Sequence, residues 1–352
     1  MRAVEWNPVG PCVRIVDQRQ LPAELTCLDL FDVQDVVTAI TGMAVRGAPT
    51  IGATAAFGLA LAAHASSAAS LPAFWDGIGQ ASRRLRSTRP TAINLGWALD
   101  RLTGRVRDAN PPTVEAAQAA FLMAAQQLAD EEVARNRRIG QHGAALLSDG
   151  DTVIHHCHTG ALAAVDYGTA LGVIRAAHEQ GKRLHVLVDE TRPRLQGARL
   201  TAWELQQLGV AFEIIPDSAA GHYLQRGEVQ AVLVGADRVA ANGDLANKIG
   251  TYMLALAAQA SRVPFYAVFP TSTVDLLCAS GEDIPIEDRP PEEVLSLSID
   301  GSPVAPPGAS ARNPAFDVTP YSLITGLVTE VGIIHPPYGP ALHRALTEGL
   351  PA

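Results

Sequence analysis

DTVIHHCHTGALAAVDYGTALGVIRAAHEQGKRLHVLVDE, residues 151–190, joins two short apolar runs through a longer helical pattern. Residues 152–156 and 184–188 are apolar and rich in β-branched side chains, the form of strands buried on both faces. Residues 162–177 carry the helical pattern between them, so the stretch reads as strand, helix, strand with a right-handed crossover. The pattern repeats downstream, with strands expected at 212–215, 231–234 and 265–269 and helices at 198–208, 218–225 and 246–259. Such alternation predicts a doubly wound, Rossmann-like parallel sheet with helices on both faces.

Upstream the period changes to that of helices. Val33, Val36, Val37, Ile40 and Ala44 recur at three- and four-residue spacing after Asp32, and Arg46-Gly47-Ala48-Pro49 closes that segment. Residues 51–63 are apolar nearly all round and predict a buried helix. Ser70 is a candidate N-cap for a third helix with Pro72 in its first turn and Phe74, Ile78, Ala81 and Leu85 inward. Leu95, Leu99, Leu102 and Val106 mark a fourth helix, and Pro112-Thr113 opens a long fifth one, with the polar run 131–138 at its exposed end or in a connector. The expected division is a mostly helical N-terminal domain, 1–140, and a Rossmann-like α/β domain, 141–352. Its 352 residues suit two domains at roughly 150 residues each.

Hydrophobic residues make up 47% of the chain and charged ones 18%, so apolar material is ample for two cores. A formal net charge of −9 opposes attraction to nucleic acid or anionic membranes. The N-terminus has no apolar leader, and the most apolar stretch, 53–63, is far short of the ~20 residues that span a bilayer. Cys12, Cys27, Cys157 and Cys278 are scattered without a Cys-x-x-Cys pair, which fits a reducing cytoplasm better than a disulfide framework.

In open parallel sheets ligands bind beyond the carboxyl ends of the strands. The residues just after the apolar runs are Cys157, Asp189-Glu190, Asp217, Asp237 and Thr271-Ser272. A thiol and several carboxylates on one rim make an enzyme site plausible. His155-His156-Cys157-His158 invites a zinc reading, but successive strand side chains alternate between faces and cannot close one tetrahedral site, so no metal is expected. Asn247-Lys248, expected in the first turn of a helix after the Asn242-Gly243 turn, makes a candidate anion site, as do Arg46 and Arg89 at helix breaks. No Gly-x-Gly-x-x-Gly or Walker loop indicates a nucleotide.

Several motifs then occur in order. Arg46-Gly47-Ala48-Pro49-Thr50-Ile51-Gly52, Arg89-Pro90-Thr91-Ala92, Cys157 with Thr159-Gly160-Ala161-Leu162-Ala163, and Asp189-Glu190-Thr191-Arg192-Pro193 with Gln196-Gly197-Ala198-Arg199-Leu200-Thr201 are four of them. Val234-Gly235-Ala236-Asp237-Arg238, Asn242-Gly243-Asp244, Asn247-Lys248-Ile249-Gly250-Thr251-Tyr252 and Asn313-Pro314-Ala315-Phe316-Asp317-Val318-Thr319-Pro320 complete the set. Together they resemble the methylthioribose-1-phosphate isomerase family.

The resemblance implies a cofactor-free, homodimeric aldose–ketose isomerase of methionine salvage that converts 5-methylthioribose 1-phosphate into 5-methylthioribulose 1-phosphate. It assigns Cys157 and Asp237 as the catalytic pair, and Arg46, Gly47, Ala48, Arg89, Gln196, Asn247 and Lys248 as substrate contacts. Two departures stand out: His158 replaces the family's usual Asn after the cysteine, and Val165-Asp166 replace small residues before Tyr167-Gly168. The alternatives are an isomerase of a related phosphopentose, such as 5-deoxyribose 1-phosphate or ribose 1,5-bisphosphate, and a non-catalytic regulatory protein like the related subunits of the translation-initiation exchange factor. Retention of both Cys157 and Asp237 favours catalysis.

Overall fold

A computed structural model describes residues 1–7, 9–90 and 92–347. The chain forms two compact units, one of Met1–Arg138 with Thr159–Gly172 and the other of Ile139–His158 with Val173–Ala352. Relative to a single cut at 140, residues 159–172 join the first unit.

The first unit opens with an antiparallel sheet that the helical periodicity gave no sign of: β1 (Val4–Asn7), β2 (Cys12–Val16) and β3 (Cys27–Leu30), paired in that order. Five helices follow, α1 (Val33–Thr41), α2 (Ala48–His64), α3 (Leu71–Ser87), α4 (Ile93–Asp108) and α5 (Val114–Ala144). Asp32 caps α1 by accepting from the Asp35 amide, and Ser70 caps α3 by accepting from Ala73. The helix α2 is buried on nearly every side and packs Phe57 and Leu59 into a core with Phe74, Leu85, Leu99 and Phe121. Burying such side chains stabilises by roughly 1.5–3 kcal/mol each.

Residues 131–138 are not an exposed end or a connector. They are continuous with α5, and Glu132 and Asn136 within them are buried. The Asn136 amide donates to the Ala164 carbonyl at 2.8 Å, which explains a polar residue at an interior position. Nor is 162–177 one helix: only α6 (Ala170–Glu179) forms. Val165, Tyr167 and Gly168 take positive φ, and the Val165 peptide is bonded to Ala3 N and Thr50 Oγ1. Those partners satisfy the backbone of the loop without helical bonds.

The second unit is built on β4 (Thr152–His156), β5 (His185–Asp189), β6 (Ala211–Ile215), β7 (Ala231–Val234), β10 (Phe265–Val268) and β15 (Gly326–Thr329), all parallel, with β16 (Gly332–Ile334) antiparallel at one edge. Helices α6, α7 (Ala202–Leu208), α8 (Ala220–Gln225) and α9 (Thr251–Ala260) lie between successive parallel strands. The spatial order β6-β5-β4-β7-β10-β15 is, in chain order, 3-2-1-4-5-6, the Rossmann arrangement. Phe265, Leu233, Val234, Ile154 and Leu254 are among its buried residues.

A smaller sheet of β8 (Arg238–Ala240), β9 (Leu245–Lys248), β11 (Val274–Asp275) and β14 (Phe316–Thr319) adjoins the same unit's strand ends in sequence. The remaining elements are α10 (Glu292–Leu295), a hairpin of β12 (Ser298–Ile299) with β13 (Ser302–Pro303), and α11 (Tyr338–Thr347).

Asn247 and Lys248 therefore stand on a strand, not in a helix start. Residue 247 pairs with Asp317 and 248 with Phe316, while β8 and β9 pair across the Asn242-Gly243 turn. Gly243 has φ +95°, the left-handed conformation such a hairpin turn demands, and a Cβ there would meet Tyr338 at 2.7 Å. The helix begins only at Thr251. Its first amides, on Gly250 and Tyr252, donate to the Asp317 carboxylate, so a protein carboxylate occupies the positive helix end.

Candidate active site

The strand order reverses between β4 and β7, the first and fourth strands of the parallel set, and this switch point is where doubly wound sheets open a crevice. In register, His156 of β4 faces Val234 of β7. Cys157 follows the first of these strands directly and Asp237 follows the second by three residues. Cys157 and Asp237, 80 positions apart in the chain, thus follow the ends of two adjacent strands at the switch point.

Cys157 is buried and its backbone is left-handed, with φ +69°. Thr191 and Leu195 nearby also have positive φ, and such conformations cost roughly 1–3 kcal/mol each in residues with a Cβ. The Cys157 amide donates to Thr191 Oγ1 at 2.9 Å, its carbonyl accepts from Thr201 Oγ1 at 2.9 Å, and Gln196 Nε2 donates to its Sγ at 3.4 Å. Gln196 is thus in contact with the thiol. Thr191 and Arg192 donate their amides to the two oxygens of Asp217, which closes the β5 loop against the end of β6.

The three histidines around the thiol face different partners. His155 Nδ1 donates to the Leu233 carbonyl, and burial pushes its pKa down to about 3. His158 lies between Thr201 Oγ1 at 3.0 Å and Glu204 Oε1 at 3.2 Å. His156 lies between the Asp189 carboxylate at 2.8 Å and the Ile249 carbonyl at 2.9 Å. A carbonyl only accepts, so His156 Nε2 carries a proton, and Nδ1 and Asp189 share another between them.

Burial alone would lower the His156 pKa, but the adjacent Asp189 carboxylate outweighs it and raises the group to about 9. The folded state then holds this proton more tightly than the unfolded chain, whose histidines titrate near about 6.5. The stabilisation is fully present below that pH and is lost as pH rises through about 9. Denaturant midpoints should therefore fall from pH 6.5 towards 9, and a His156→Gln/Asp189→Asn double variant should flatten that slope; an equal slope in both proteins would remove the pair as its source.

His156, Asp189 and Asp217 are also the one group among the described residues with the spacing of metal ligands, their ligand atoms lying within 4.8 Å of one another. Both imidazole nitrogens and both Asp217 oxygens already serve hydrogen bonds to protein groups, so the donor set fits a hydrogen-bonded network better than a metal centre.

Asp237 is half-buried, and its amide donates to the Ala246 carbonyl at 2.9 Å, which fixes its backbone against β9. Asn247 is buried and donates to Thr251 Oγ1. Lys248 donates to the Ala315 carbonyl at 2.7 Å and its ammonium lies 4.6 Å from the centre of the Phe316 ring.

In the first unit, Arg46, Gly47 and Ala48 stand at the N-terminal end of α2, where the helix dipole is positive. Gly47 has φ +93°, and a Cβ there would come within 2.4 Å of Ala163 Cα. No other residue fits that turn. Arg89 is half-buried between α3 and α4; Thr91, from the same motif, lies outside the described residues.

Cys157, Asp237, Asp189, Asp217 and Gln196 stand out in the sequence, whereas His156, Thr191, Thr201 and Glu204 have no role legible there. An Asp at a strand end beside a His at the end of its neighbour is a legible signal once the strands are known to be adjacent.

Comparisons with known proteins agree with this architecture. Residues 44–336 match the initiation factor 2 subunit family. A methylthioribose-1-phosphate isomerase of Synechococcus sp. is 51% identical over 338 residues, 96% of each chain. Among solved structures, 5-methylthioribose 1-phosphate isomerase from Pyrococcus horikoshii OT3 superposes with a TM-score of 0.90 at 44% identity, covering 98% of this chain and 95% of that one. The translation initiation factor eIF-2B subunit delta from A. fulgidus does so with a TM-score of 0.86 at 40% identity, covering 98% and 99%. By sequence along almost its whole length and by fold, the chain belongs to the initiation factor 2 subunit family, in its methylthioribose-1-phosphate isomerase branch.

Proposed function

We propose that this chain converts 5-methylthioribose 1-phosphate into 5-methylthioribulose 1-phosphate, as an aldose–ketose isomerase of methionine salvage, with Cys157 and Asp237 as its catalytic pair. The observation that supports this pairing is their arrival at the ends of the two adjacent strands, β4 and β7, where the sheet order reverses.

The substrate is a closed ring whose anomeric oxygen is phosphorylated, so it does not open spontaneously to an aldehyde. A general acid must deliver a proton to the ring oxygen as its bond to C1 breaks. Asp237 takes that role. One hydrogen then moves from C2 to C1 while the C2 hydroxyl gives up its proton, leaving a ketone at C2 and a hydroxyl where the ring oxygen was. Cys157 serves the C2–C1 transfer. Atoms and electrons balance within the sugar, and no external oxidant or reductant is required.

The resemblance assigns substrate contact to Arg46, Gly47, Ala48, Arg89, Gln196, Asn247 and Lys248. Two of these suit a phosphate by charge, the arginines with planar multidentate donors. Lys248 is a third cation, although it also serves the Ala315 carbonyl. Lys248→Ala should raise KM more than it lowers kcat, and an unchanged KM would remove it from the phosphate contacts. The same resemblance supports a homodimer in the cytoplasm; no helix among the described residues is long and apolar enough to cross a membrane.

Two neighbouring phosphopentoses are the competing substrates. Turnover on 5-methylthioribose 1-phosphate, 5-deoxyribose 1-phosphate and ribose 1,5-bisphosphate, compared by kcat/KM, should rank the thioether first. A higher value for either other sugar would keep the catalytic pair and move the chain to that substrate. The fold shared with the A. fulgidus initiation-factor subunit raises a non-catalytic reading, and failure on all three sugars would favour it.

A further inference from the structure

We propose that Thr191 and Thr201 are positioning residues for Cys157: two buried hydroxyls that hold both of its peptide groups and thereby aim its thiol. This rests on the reading of Cys157 as a reacting group.

The strand β4 ends at His156, and the next residue turns into the left-handed region with φ +69°. A residue with a Cβ does not adopt that conformation by local preference, so tertiary contacts must impose it. Its amide meets Thr191 Oγ1 and its carbonyl meets Thr201 Oγ1, each at 2.9 Å. Both threonines are completely buried.

A hydroxyl has one hydrogen, and this fixes the direction of every bond. The Thr191 hydrogen goes to the Asp189 carbonyl at 2.9 Å, so its lone pair faces the Cys157 amide. The Thr201 hydrogen goes to the Cys157 carbonyl, so its lone pair accepts from His158 Nδ1 at 3.0 Å. Two relays result, Cys157 amide to Thr191 to Asp189, and His158 to Thr201 to Cys157 carbonyl.

Each relay is anchored. The Thr191 amide donates to Asp217 at 2.6 Å, and Asp189 is paired with His156. Thr201 closes the π-helical turn Gly197–Thr201, and His158 Nε2 lies 3.2 Å from Glu204 Oε1. Threonine is suited to the task because its branched Cβ restricts χ1 more than serine does, which holds the oxygen in one direction. In this chain His158 is the donor that completes the second relay.

Thr191→Val and Thr201→Val remove the oxygen at nearly constant shape. Each should lower kcat roughly tenfold to a hundredfold, the effect of misplacing a reacting group by about 1 Å, with KM within about threefold of wild type. Thr191→Ser and Thr201→Ser should restore most of the rate. Native-state hydrogen exchange of the peptide spanning 153–158 should quicken at least about tenfold in the valine variants, because the Cys157 turn opens locally, and stay near wild type in the serine variants. Should a valine variant fail to fold, the alanine variant of the same threonine carries the test.

Wild-type kcat in the valine variants, unchanged exchange, or serine variants as impaired as the valine ones would each overturn the proposal. If the wild-type chain itself does not turn over the sugar, the functional reading falls, while the exchange rates still decide whether these hydroxyls hold Cys157.

Discussion

Cys157→Ser and Asp237→Asn should each lower kcat by at least about a thousandfold while leaving the folded chain intact. Serine offers an oxygen close in size to the sulfur, but a hydroxyl does not ionise near neutral pH as a thiol can. The backbone that holds position 157 is unchanged by the substitution, since Thr191 and Thr201 bond its peptide groups and not its side chain. Asparagine likewise keeps the shape of Asp237 and the amide bond to Ala246, and removes only the transferable proton. Thermal midpoints within a few degrees of wild type would show that the loss is chemical. A variant that retained near-wild-type kcat would take its residue out of the mechanism.

Gly197→Ala should be the most damaging single methyl in the second unit. A Cβ at 197 would lie 1.8 Å from the Asp189 carbonyl oxygen and 2.9 Å from Thr191 Oγ1. The first is a backbone atom at the end of a buried strand and cannot swing aside, so β5 or the π-helical turn must shift. Either shift spoils the hydroxyl that holds the Cys157 amide. The expected result is a loss of about 3 kcal/mol or more of stability together with at least a hundredfold loss of kcat. Gly221→Ala is the matching control, because its Cβ would make only an ordinary contact, 3.8 Å from Ala257 Cβ, inside α8. It should keep full activity and gain up to about 1 kcal/mol. Full activity in Gly197→Ala, with unchanged stability, would contradict the close packing of that turn against β5.

Much of this architecture is legible in the sequence. The buried strands announced themselves because parallel strands covered on both faces are continuous apolar runs, and β4 and β7 fell where 152–156 and 231–234 read as strands. Helices α3 and α4 were legible because their buried stripes, such as Phe74, Ile78, Ala81 and Leu85, keep a strict helical period. The sheet β1-β2-β3 was not, since its short antiparallel strands carry polar residues such as Glu5, Arg14 and Asp29 between apolar ones and sit beside strong helical signals.

Asn247 and Lys248 read as a helix start for a different reason. Their strand is four residues long and abuts a helix of similar apolarity, so periodicity alone merges the two. The Asn242-Gly243 pair suits a turn before a helix and equally marks a two-stranded hairpin. Residues 162–168 read as the start of the helix that becomes α6 because alanine and leucine suit a helix; what prevents one is tertiary, the bonds of Val165 to Ala3 and Thr50. At the site, the rim residues Cys157, Asp189, Asp217 and Asp237 followed from strand order. The threonine and histidine contacts depend on which loops meet across the sheet, and no local pattern carries that.

Ketose formation from 5-methylthioribose 1-phosphate, followed by NMR on purified chain dialysed against a chelator and supplied with no cofactor, tests the central claim most directly. The predicted result is catalytic conversion to 5-methylthioribulose 1-phosphate that disappears in Cys157→Ser. Absence of the ketose, or its equal formation by the Cys157→Ser chain, would contradict the account.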